Sequence, residues 1–370
     1  MRYHSLDMLR GACALAVFLN HVFVWSNFTP QGAVETAVHR AGDLIYRTIT
    51  FLSWPTGGQH PAVICFFVLS GFCVHIPFAR QIGAGRAAVA WREYFVRRFR
   101  RIMPVYWAGA ILGLMVMAAQ AWRPSTDPLL NLHAPATAAQ VAARFGGWSG
   151  VWPEEIFAGN YILGTVGVEI IIYLLYPLFY FLAVRDRWGV LGAIAIGGQL
   201  LALGLRGVID PFVLFSGVLV MGLFWYLGAG VAHLHQKGWW VRGRWLVMLW
   251  AAFIALQLTP HFFGLNMIKQ AVWGLLCAAF IGWMVGREET VGRRSEAPWR
   301  RLLRWAGDIS YPLYAVHTPV ILLCNWALLT SGGGGSYLWQ LVLNLSLSFV
   351  VAIAVHLRVE RRFYRPRLSG

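Results

Sequence analysis

The chain has 370 residues, of which 58% are hydrophobic and 12% charged, and its mean hydropathy is +0.58. Soluble globular domains carry about 25% charged residues, so this composition excludes a soluble protein and predicts a polytopic membrane protein. The net charge of +16 can also indicate nucleic-acid binding, which the position of the basic residues along the chain tests.

Apolar segments long enough to cross a bilayer recur along the whole chain, and most are joined by short loops. Ten spans are predicted, near residues 7–28, 61–79, 104–121, 158–184, 188–206, 211–233, 245–263, 268–286, 309–329 and 337–357. The first segment lacks a small-residue cleavage site, so we expect a retained span rather than a signal peptide. The sequence therefore predicts an all-α membrane helix bundle that forms a single domain over residues 1–370.

The basic residues fall mainly on one side of this arrangement. With the N-terminus inside, the outer connections hold only Arg40, Arg47, Arg123, Arg144, Arg206 and Lys269. Cytoplasmic loops collect Lys and Arg, so both termini are expected in the cytoplasm and the charge needs no nucleic-acid partner.

Two outer connections are long, at 29–60 and 122–157. Loops of this length are usually functional or carry structure of their own. The second contains four residues suited either to facing a sugar or to anchoring the chain at the membrane interface: Trp148, Trp152, Glu154 and Glu155.

Arg10 and His21 both lie inside the first apolar segment. An ionisable residue at membrane depth is costly and indicates function. Eleven residues make about three helical turns, so both side chains point to one face, roughly 16 Å apart along the axis. This spacing predicts a reaction site that is reached from both sides of the membrane.

Each member of this pair has a definite chemical use. A neutral His21 can accept the proton of an attacking hydroxyl as a general base, or take an acyl group itself as a nucleophile. Arg10 stays protonated and can polarise a carbonyl or hold a phosphate. A hydrogen-bonded core histidine and an arginine that reaches the inner interface are the structural alternatives, with Asp7 as the partner of Arg10.

Two further arginines, Arg98 and Arg101, lie at i and i+3 in a basic segment with an apolar stripe, which is typical of an interfacial helix. Guanidinium groups match phosphate geometry, so this pair can hold a nucleotide. Positive-inside topology is the alternative explanation.

The fourth span contains Glu169, with Tyr173 on the same face. A buried carboxylate must be paired or neutral, so Glu169 is predicted to orient His21 or to pair with Arg10, and a purely structural partner for a buried cation is the alternative. In the second span Ser70 precedes Gly71, where the absent side chain allows either the close passage of a substrate or close helix packing. The five cysteines show no metal-ligand spacing, and no metal is expected.

Five segments taken together resemble the membrane-bound acyltransferase-3 family. They are SLDMLRGACALAVFLNH at 5–21, FFVLSGF at 66–72, RRFRRIMPVYW at 97–107, VEIIIYLLYP at 168–177 and ISYPLYAVHTP at 309–319. The family's arginine pair corresponds to Arg98 and Arg101, and the histidine of its ninth-span motif corresponds to His317.

The resemblance implies a multi-pass O-acyltransferase of the bacterial inner membrane. Its donor would be a cytoplasmic acyl-coenzyme A, usually acetyl-coenzyme A, and its acceptor a hydroxyl of a cell-surface polysaccharide, glycolipid or lipid-linked sugar. His21, Arg10 and Glu169 would then be catalytic, Arg98, Arg101 and Ser70 would bind the donor, and Asp7, Tyr173 and His317 would support the site or the acceptor.

Three other functions fit the same residues. A transporter or glycan exporter would use Arg10, His21 and Glu169 as a proton relay, although the internal repeats common in such proteins are absent from the sequence. The second is an acyltransferase that acts on a small molecule. The third is a non-catalytic subunit of a polysaccharide synthesis complex, in which the motif residues would be dispensable.

Overall fold

A computed structural model describes residues 3–25, 32–53, 60–85, 88–125, 137–148, 159–205, 213–259, 263–291, 297–331 and 336–363. Regular structure in these residues is helical. The helices are α1 (His4–Val24), α2 (Gly32–Ser53), α3 (Pro61–Gly83), α4 (Trp91–Trp122), α5 (Ala138–Phe145), α6 (Leu163–Val184), α7 (Trp188–Gly204), α8 (Val213–Gln236), α9 (Gly243–Gln257), α10 (Phe263–Val291), α11 (Pro298–Asp308), α12 (Ser310–Thr330) and α13 (Tyr337–Val355), followed by a π-helical turn, His356–Glu360, and a last helical turn, Arg361–Phe363.

The predicted fold class is confirmed. Among the described helices, eight are long and apolar enough to cross a membrane, namely α1, α3, α4, α6, α8, α10, α12 and α13. The shorter apolar helices α7, of 17 residues, and α9, of 15 residues, lie where two further spans are predicted. The protein is therefore an all-α, polytopic membrane helix bundle, while the cytoplasmic position of its termini stays a prediction.

One long connection carries structure of its own, as one of its two interpretations predicted, and the basic segment differs from the sequence prediction. The first long outer connection contains a helix of 22 residues, α2. The basic segment around Arg98 does not form a separate interfacial helix but runs on without a break into the third span, giving α4 its 32 residues. Pro104 lies inside α4, and membrane helices tolerate such a proline because neighbouring groups satisfy the freed backbone. In the second long connection, Trp152, Glu154 and Glu155 lie outside the described residues.

Helices α3 and α8 cross at very short distance because glycine faces backbone at the contact. A Cβ atom on Gly71 would lie 2.0 Å from the carbonyl oxygen of Trp225, and one on Gly228 would lie 1.9 Å from that of Val68. Small residues drive membrane helix association by allowing this approach. Gly71 therefore has a packing role, as one of the two sequence interpretations proposed.

The N-terminal half of α1 is fixed by contacts with α10 and α11. Gly11 faces the backbone of α11, and a Cβ on Gly307 would lie 2.1 Å from the carbonyl oxygen of Asp7. The Glu288 carboxylate accepts hydrogen bonds of 2.9 Å from the backbone N–H groups of His4 and Ser5. An acidic group at a helix N-terminus satisfies free N–H donors and interacts favourably with the helix dipole. These contacts fix the position of α1, and therefore of Arg10, along its axis relative to α10 and α11.

The C-terminal end of α1 is fixed by a network of buried side-chain amides. Asn325 of α12 donates a 2.8 Å hydrogen bond to the carbonyl oxygen of Trp25. Its side-chain oxygen accepts from Gln340 at 2.8 Å and from Asn344 at 3.2 Å on α13. All three amide side chains are fully buried, so this network joins α12, α13 and the turn that follows His21.

Candidate active site

The imidazoles of His21 on α1 and His317 on α12 form a hydrogen-bonded pair. His21 Nδ1 lies 2.8 Å from His317 Nε2, and the planes of the two rings are nearly parallel, with 12° between them. His317 is fully buried, whereas His21 is half-buried. The close approach of α1 and α12 therefore places two titratable groups from opposite ends of the chain at one point.

The backbone of α12 fixes which nitrogens carry protons. His317 Nδ1 lies 2.8 Å from the carbonyl oxygen of Leu313, which only accepts, so this nitrogen is the donor. In a neutral His317 the Nε2 atom is then an acceptor, and His21 Nδ1 must donate to it. In a neutral His21 the remaining nitrogen, Nε2, carries a lone pair.

That lone pair faces Tyr161, whose hydroxyl lies 3.0 Å from His21 Nε2 and donates to it. Tyr161 directly follows Asn160, which is fully buried and donates hydrogen bonds to the carbonyl oxygens of Gly109 at 3.0 Å and Ala315 at 2.9 Å. The segment before α6 is thus tied to α4 and α12, and this tie places the Tyr161 hydroxyl on the imidazole.

The Trp25 ring stacks on one face of the His21 ring. The two rings are stacked with centroids 4.5 Å apart, and the Trp25 ring lies 5.4 Å from that of Tyr161. His21 is therefore oriented by one hydrogen bond at each nitrogen and by an aromatic face. An oriented, neutral imidazole whose Nε2 lone pair faces a hydroxyl is suited to accept a proton from a substrate hydroxyl that takes this place.

A small cavity of about 110 Å³ gathers most of the other predicted site residues. Arg10, Ser70, Arg98, Arg101, Glu169 and Tyr173 all line it. They come from α1, α3, α4 and α6, so helix packing brings together side chains that are widely separated in the sequence. His21 and His317 are not part of its lining.

Inside this cavity Glu169 has different partners from those expected. Its carboxylate accepts a 2.7 Å hydrogen bond from the Ser70 hydroxyl and a second one from the Tyr173 hydroxyl, which itself lies 2.9 Å from Ser70. The expectation that Glu169 contacts His21 or Arg10 is wrong in the structure. The physical reason is the i to i+4 spacing on α6, which places Tyr173 directly against the carboxylate.

The expected partner of Arg10 is confirmed. An ion pair of 3.2 Å joins the Arg10 guanidinium to the buried carboxylate of Asp7, three residues earlier on α1. A second contact, of 3.7 Å, runs from Arg10 to the Cys73 sulfur on α3. Because Asp7 neutralises part of its charge, Arg10 can line the cavity at lower cost.

Arg98 lies against two aromatic rings. Its guanidinium carbon is 5.2 Å from the centroid of Tyr173 and 5.6 Å from that of Tyr94, and its Nε atom is buried without a hydrogen bond. Cation–π contact with two rings holds the guanidinium in place and leaves hydrogen-bond donors for a ligand.

Thr165 and Tyr314 lie between the cavity and the histidine pair, and the sequence interpretation did not single out Tyr314. Both residues line the cavity, their hydroxyls are 2.6 Å apart, and the Tyr314 ring lies 6.2 Å from that of His317.

Tyr161 was missed as well, because one tyrosine at the start of a span produces no pattern. The motif ISYPLYAVH does place Tyr314 three residues before His317, one helical turn away, which is the signal that was available.

Three other histidines within the spans have structural surroundings. His75 is fully buried and lies 2.9 Å from the Tyr176 hydroxyl, His233 stacks on Trp188, and His356 contacts Glu360 at 2.6 Å. Over the described part of the chain, no group of three or more His, Cys, Asp or Glu side chains is arranged to hold a metal ion.

Comparison with known proteins gives one match. A family model described as an acyltransferase domain matches residues 3–357, which includes every residue of the histidine pair and of the cavity. Neither the curated proteins nor the solved structures contain a significant match.

Proposed function

The chain belongs to the acyltransferase-3 family, and from that premise we propose that it moves an acetyl group from cytoplasmic acetyl-coenzyme A to a hydroxyl of a cell-surface glycan or glycolipid. Membrane acyltransferase activity in general follows from the family. The donor, the acyl group, the acceptor and the location in a bacterial inner membrane are our proposal, as is the reading of residues 1–370 as one domain.

The observation that supports this best is the orientation of His21. Its Nδ1 is held by His317, which is held in turn by the Leu313 carbonyl, so its Nε2 lone pair is aimed at a hydroxyl group. A base that is oriented by a second group recurs in enzymes that activate hydroxyl nucleophiles. We propose that the acceptor hydroxyl takes the place at Nε2 that the Tyr161 hydroxyl occupies in the structure.

The reaction then runs in two proton movements. As the acceptor oxygen bonds to the thioester carbonyl carbon, its proton passes to His21 Nε2. The carbon–sulfur bond breaks with its electron pair on sulfur, and His21 returns the proton to the departing thiolate. His317 keeps the imidazolium oriented between these steps, and the carbonyl of Leu313 accepts from His317 throughout.

Three guanidinium groups support the placement of the donor in the cavity. Arg10, Arg98 and Arg101 line it together, and arginines bind phosphate oxygens by paired, charge-assisted hydrogen bonds. We propose that Arg98 and Arg101, at the inner start of the α4 span, hold the phosphates of coenzyme A, and that Arg10 lies along its arm. Ser70 and Tyr173, oriented by Glu169, offer hydroxyls to the polar groups of that arm.

The acyl end of the donor must travel from this cavity to His21. Thr165 and Tyr314 stand on that path, joined by their 2.6 Å hydrogen bond. We propose that this bond opens when the donor is bound, since the cavity of about 110 Å³ is small for an acyl-bearing arm.

The test is turnover of radiolabelled acetyl-coenzyme A by the purified protein in lipid nanodiscs, combined with mass spectrometry of surface glycan from cells with and without the protein. We expect loss of acetyl-sized mass without the protein, and loss of turnover in His21→Ala. His39→Ala is the matched control because His39 is exposed on α2. Unchanged glycan together with no donor consumption would favour a transporter, and unchanged turnover in His21→Ala would refute the role of His21.

A further inference from the structure

A second and larger cavity lies on the other side of α1. Its volume is about 690 Å³, and helices α1, α2, α3, α9 and α10 all contribute to its wall. On α1 the lining residues are Leu9, Ala12, Cys13, Ala16, Leu19, Asn20 and Phe23. Helix α1 therefore separates two cavities, one with three arginines and one that is almost entirely apolar. We call the second one the lateral groove.

The lateral groove is accessible from the surface of the bundle. Val247 and Trp250 on α9 line it and are 66% and 45% exposed, and Leu19 on α1 is 40% exposed. Leu19 lies on α1, which is long and apolar enough to cross a membrane, so an exposed apolar side chain on this rim is suited to face hydrocarbon. A groove of this size, within the range of small-molecule binding sites, is therefore open to an apolar chain from the bilayer.

One end of the lateral groove is polar. Asn20 lines it, and the amide nitrogen of that side chain is buried without a hydrogen bond. His60, which lines the same end, precedes α3, and its Nδ1 accepts a 3.1 Å hydrogen bond from the backbone N–H of Ala62. Burial lowers the pKa of His60 to about 4, so the imidazole is neutral at physiological pH. A buried amide without a partner is costly, so this end is suited to a polar group of a ligand.

The polar end adjoins the histidine pair. Asn20 is the chain neighbour of His21, and His60 lies within electrostatic reach of the His21 imidazole. A molecule with its apolar part in the lateral groove and a hydroxylated head at Asn20 and His60 would therefore bring hydroxyl groups beside His21. The donor, with its phosphates, is suited instead to the cavity with the three arginines.

We propose that the lateral groove binds the apolar chain of a lipid-linked acceptor whose hydroxylated head group contacts Asn20 and His60 beside His21. This inference rests on the proposed function and narrows its acceptor to molecules that carry a long hydrocarbon chain. An ordinary bilayer lipid would gain only from the apolar wall, whereas the acceptor would also satisfy the Asn20 amide.

The first experiment measures binding and requires no turnover. A glycosylated polyprenyl lipid with a diazirine in its chain is photolysed with the wild-type protein in nanodiscs, and the labelled peptides are mapped. We expect labelling on α1 between Leu9 and Phe23 and on α9 near Trp250, reduced by the unlabelled glycolipid but not by added phosphatidylethanolamine. Equal competition by phosphatidylethanolamine would mean a site for bilayer lipid only and would overturn the proposal.

The second experiment compares two acceptors with one sugar, the polyprenyl glycoside and its water-soluble methyl glycoside. Ala16→Trp fills the lateral groove, and Ala193→Trp, on the exposed face of α7, is the matched control. We expect Ala16→Trp to raise KM about tenfold for the polyprenyl glycoside alone, because several methylene contacts are lost. An unchanged KM for both acceptors would overturn the proposal.

These outcomes are distinct from failure of the proposed function itself. If the protein consumes no acetyl-coenzyme A with either acceptor, the transfer reaction is wrong while the photolabelling result still decides the groove. If Ala16→Trp does not fold, Ala12→Leu, a smaller filling of the same wall, is compared in its place.

Discussion

The hydrogen bond between His21 and His317, 2.8 Å long, joins residues 296 positions apart and gives His21 one defined tautomer. The Leu313 carbonyl fixes the proton on His317 Nδ1. With both imidazoles neutral, His21 Nδ1 then donates to His317 Nε2, and the Tyr161 hydroxyl donates to His21 Nε2. A general base is effective only when its lone pair faces the proton to be taken, so this relationship determines the chemistry proposed for the site.

The role of His317 in orienting His21 can be measured directly. In His317→Leu the His21 Nδ1–H has no acceptor, so the ring is free to change tautomer and we expect kcat to fall about 100-fold, with little change in KM. His317→Gln, which offers a side-chain oxygen as acceptor, should recover part of the loss. Nitrogen NMR of labelled histidine should find His21 Nε2 unprotonated in the wild type, and an unprotonated Nδ1 would contradict the assignment.

The hydroxyl of Tyr161 occupies the position proposed for the acceptor. In Tyr161→Phe the acceptor no longer has to displace a hydrogen bond that is worth about 1 kcal/mol net. We expect KM for the acceptor to fall by about fivefold while kcat stays nearly constant, as steady-state kinetics would measure. A large loss of kcat would instead make Tyr161 a reacting group.

The arginines of α4 should act on the donor alone. Replacing Arg101 by Gln removes a charged phosphate contact, and we expect KM for acetyl-coenzyme A to rise about tenfold with KM for the acceptor unchanged. Arg97→Gln is the control on the same helix, because Arg97 is exposed and pairs only with the exposed Glu93 over the described part of the chain. If Arg97→Gln had the same effect, general surface charge rather than a built site would explain the binding.

Arg98 offers a sharper version of the same test. Lysine keeps the charge but loses the planar group that lies against Tyr94 and Tyr173. We therefore expect Arg98→Lys to raise KM for acetyl-coenzyme A almost as much as Arg98→Gln does. Full activity in the lysine variant would show that only charge is needed at this position.

The crossing of α3 and α8 predicts a strong difference between two glycines of one helix. Gly228→Ala places a Cβ 1.9 Å from the Val68 carbonyl oxygen, so the helices must separate, at a cost of about 1–3 kcal/mol in the free energy of unfolding. Around Gly230 a Cβ meets nothing within 4 Å, so Gly230→Ala should be neutral or slightly stabilising. Thermal unfolding in detergent measures both, and equal Tm values would contradict the crossing.

Much of the fold could be predicted from residue types alone. Long apolar segments in a bilayer have to form helices, because only internal hydrogen bonds can satisfy their backbone. The ion pair of Arg10 with Asp7 was predictable for a similar reason, since residues three apart on a helix are neighbours. For the segment of α2 the prediction went only as far as a long connection that is functional or has structure of its own, because its mixed polar composition resembles that of a loop.

Contacts between helices could not be predicted from residue types, because they depend on which faces of the helices meet. Glu169 was expected to contact His21 or Arg10, but its partners, Ser70 and Tyr173, depend on which faces of α3 and α6 meet. The apolar character of a span says that it is buried or faces lipid, and it does not say which neighbour it packs against. The Thr165–Tyr314 contact and the lateral groove were out of reach for the same reason.

The sequence by itself determined that this is a membrane bundle, that Arg10 and His21 share a helix, and that the segments around them resemble acyltransferase-3 proteins. Only the tertiary structure decided that His317 and Tyr161 hold the two nitrogens of His21, and that α1 divides a cavity with three arginines from an apolar groove. Helical periodicity is a local property that reaches a few residues along the chain, whereas these contacts depend on glycine and amide interactions that fix the approach of distant helices.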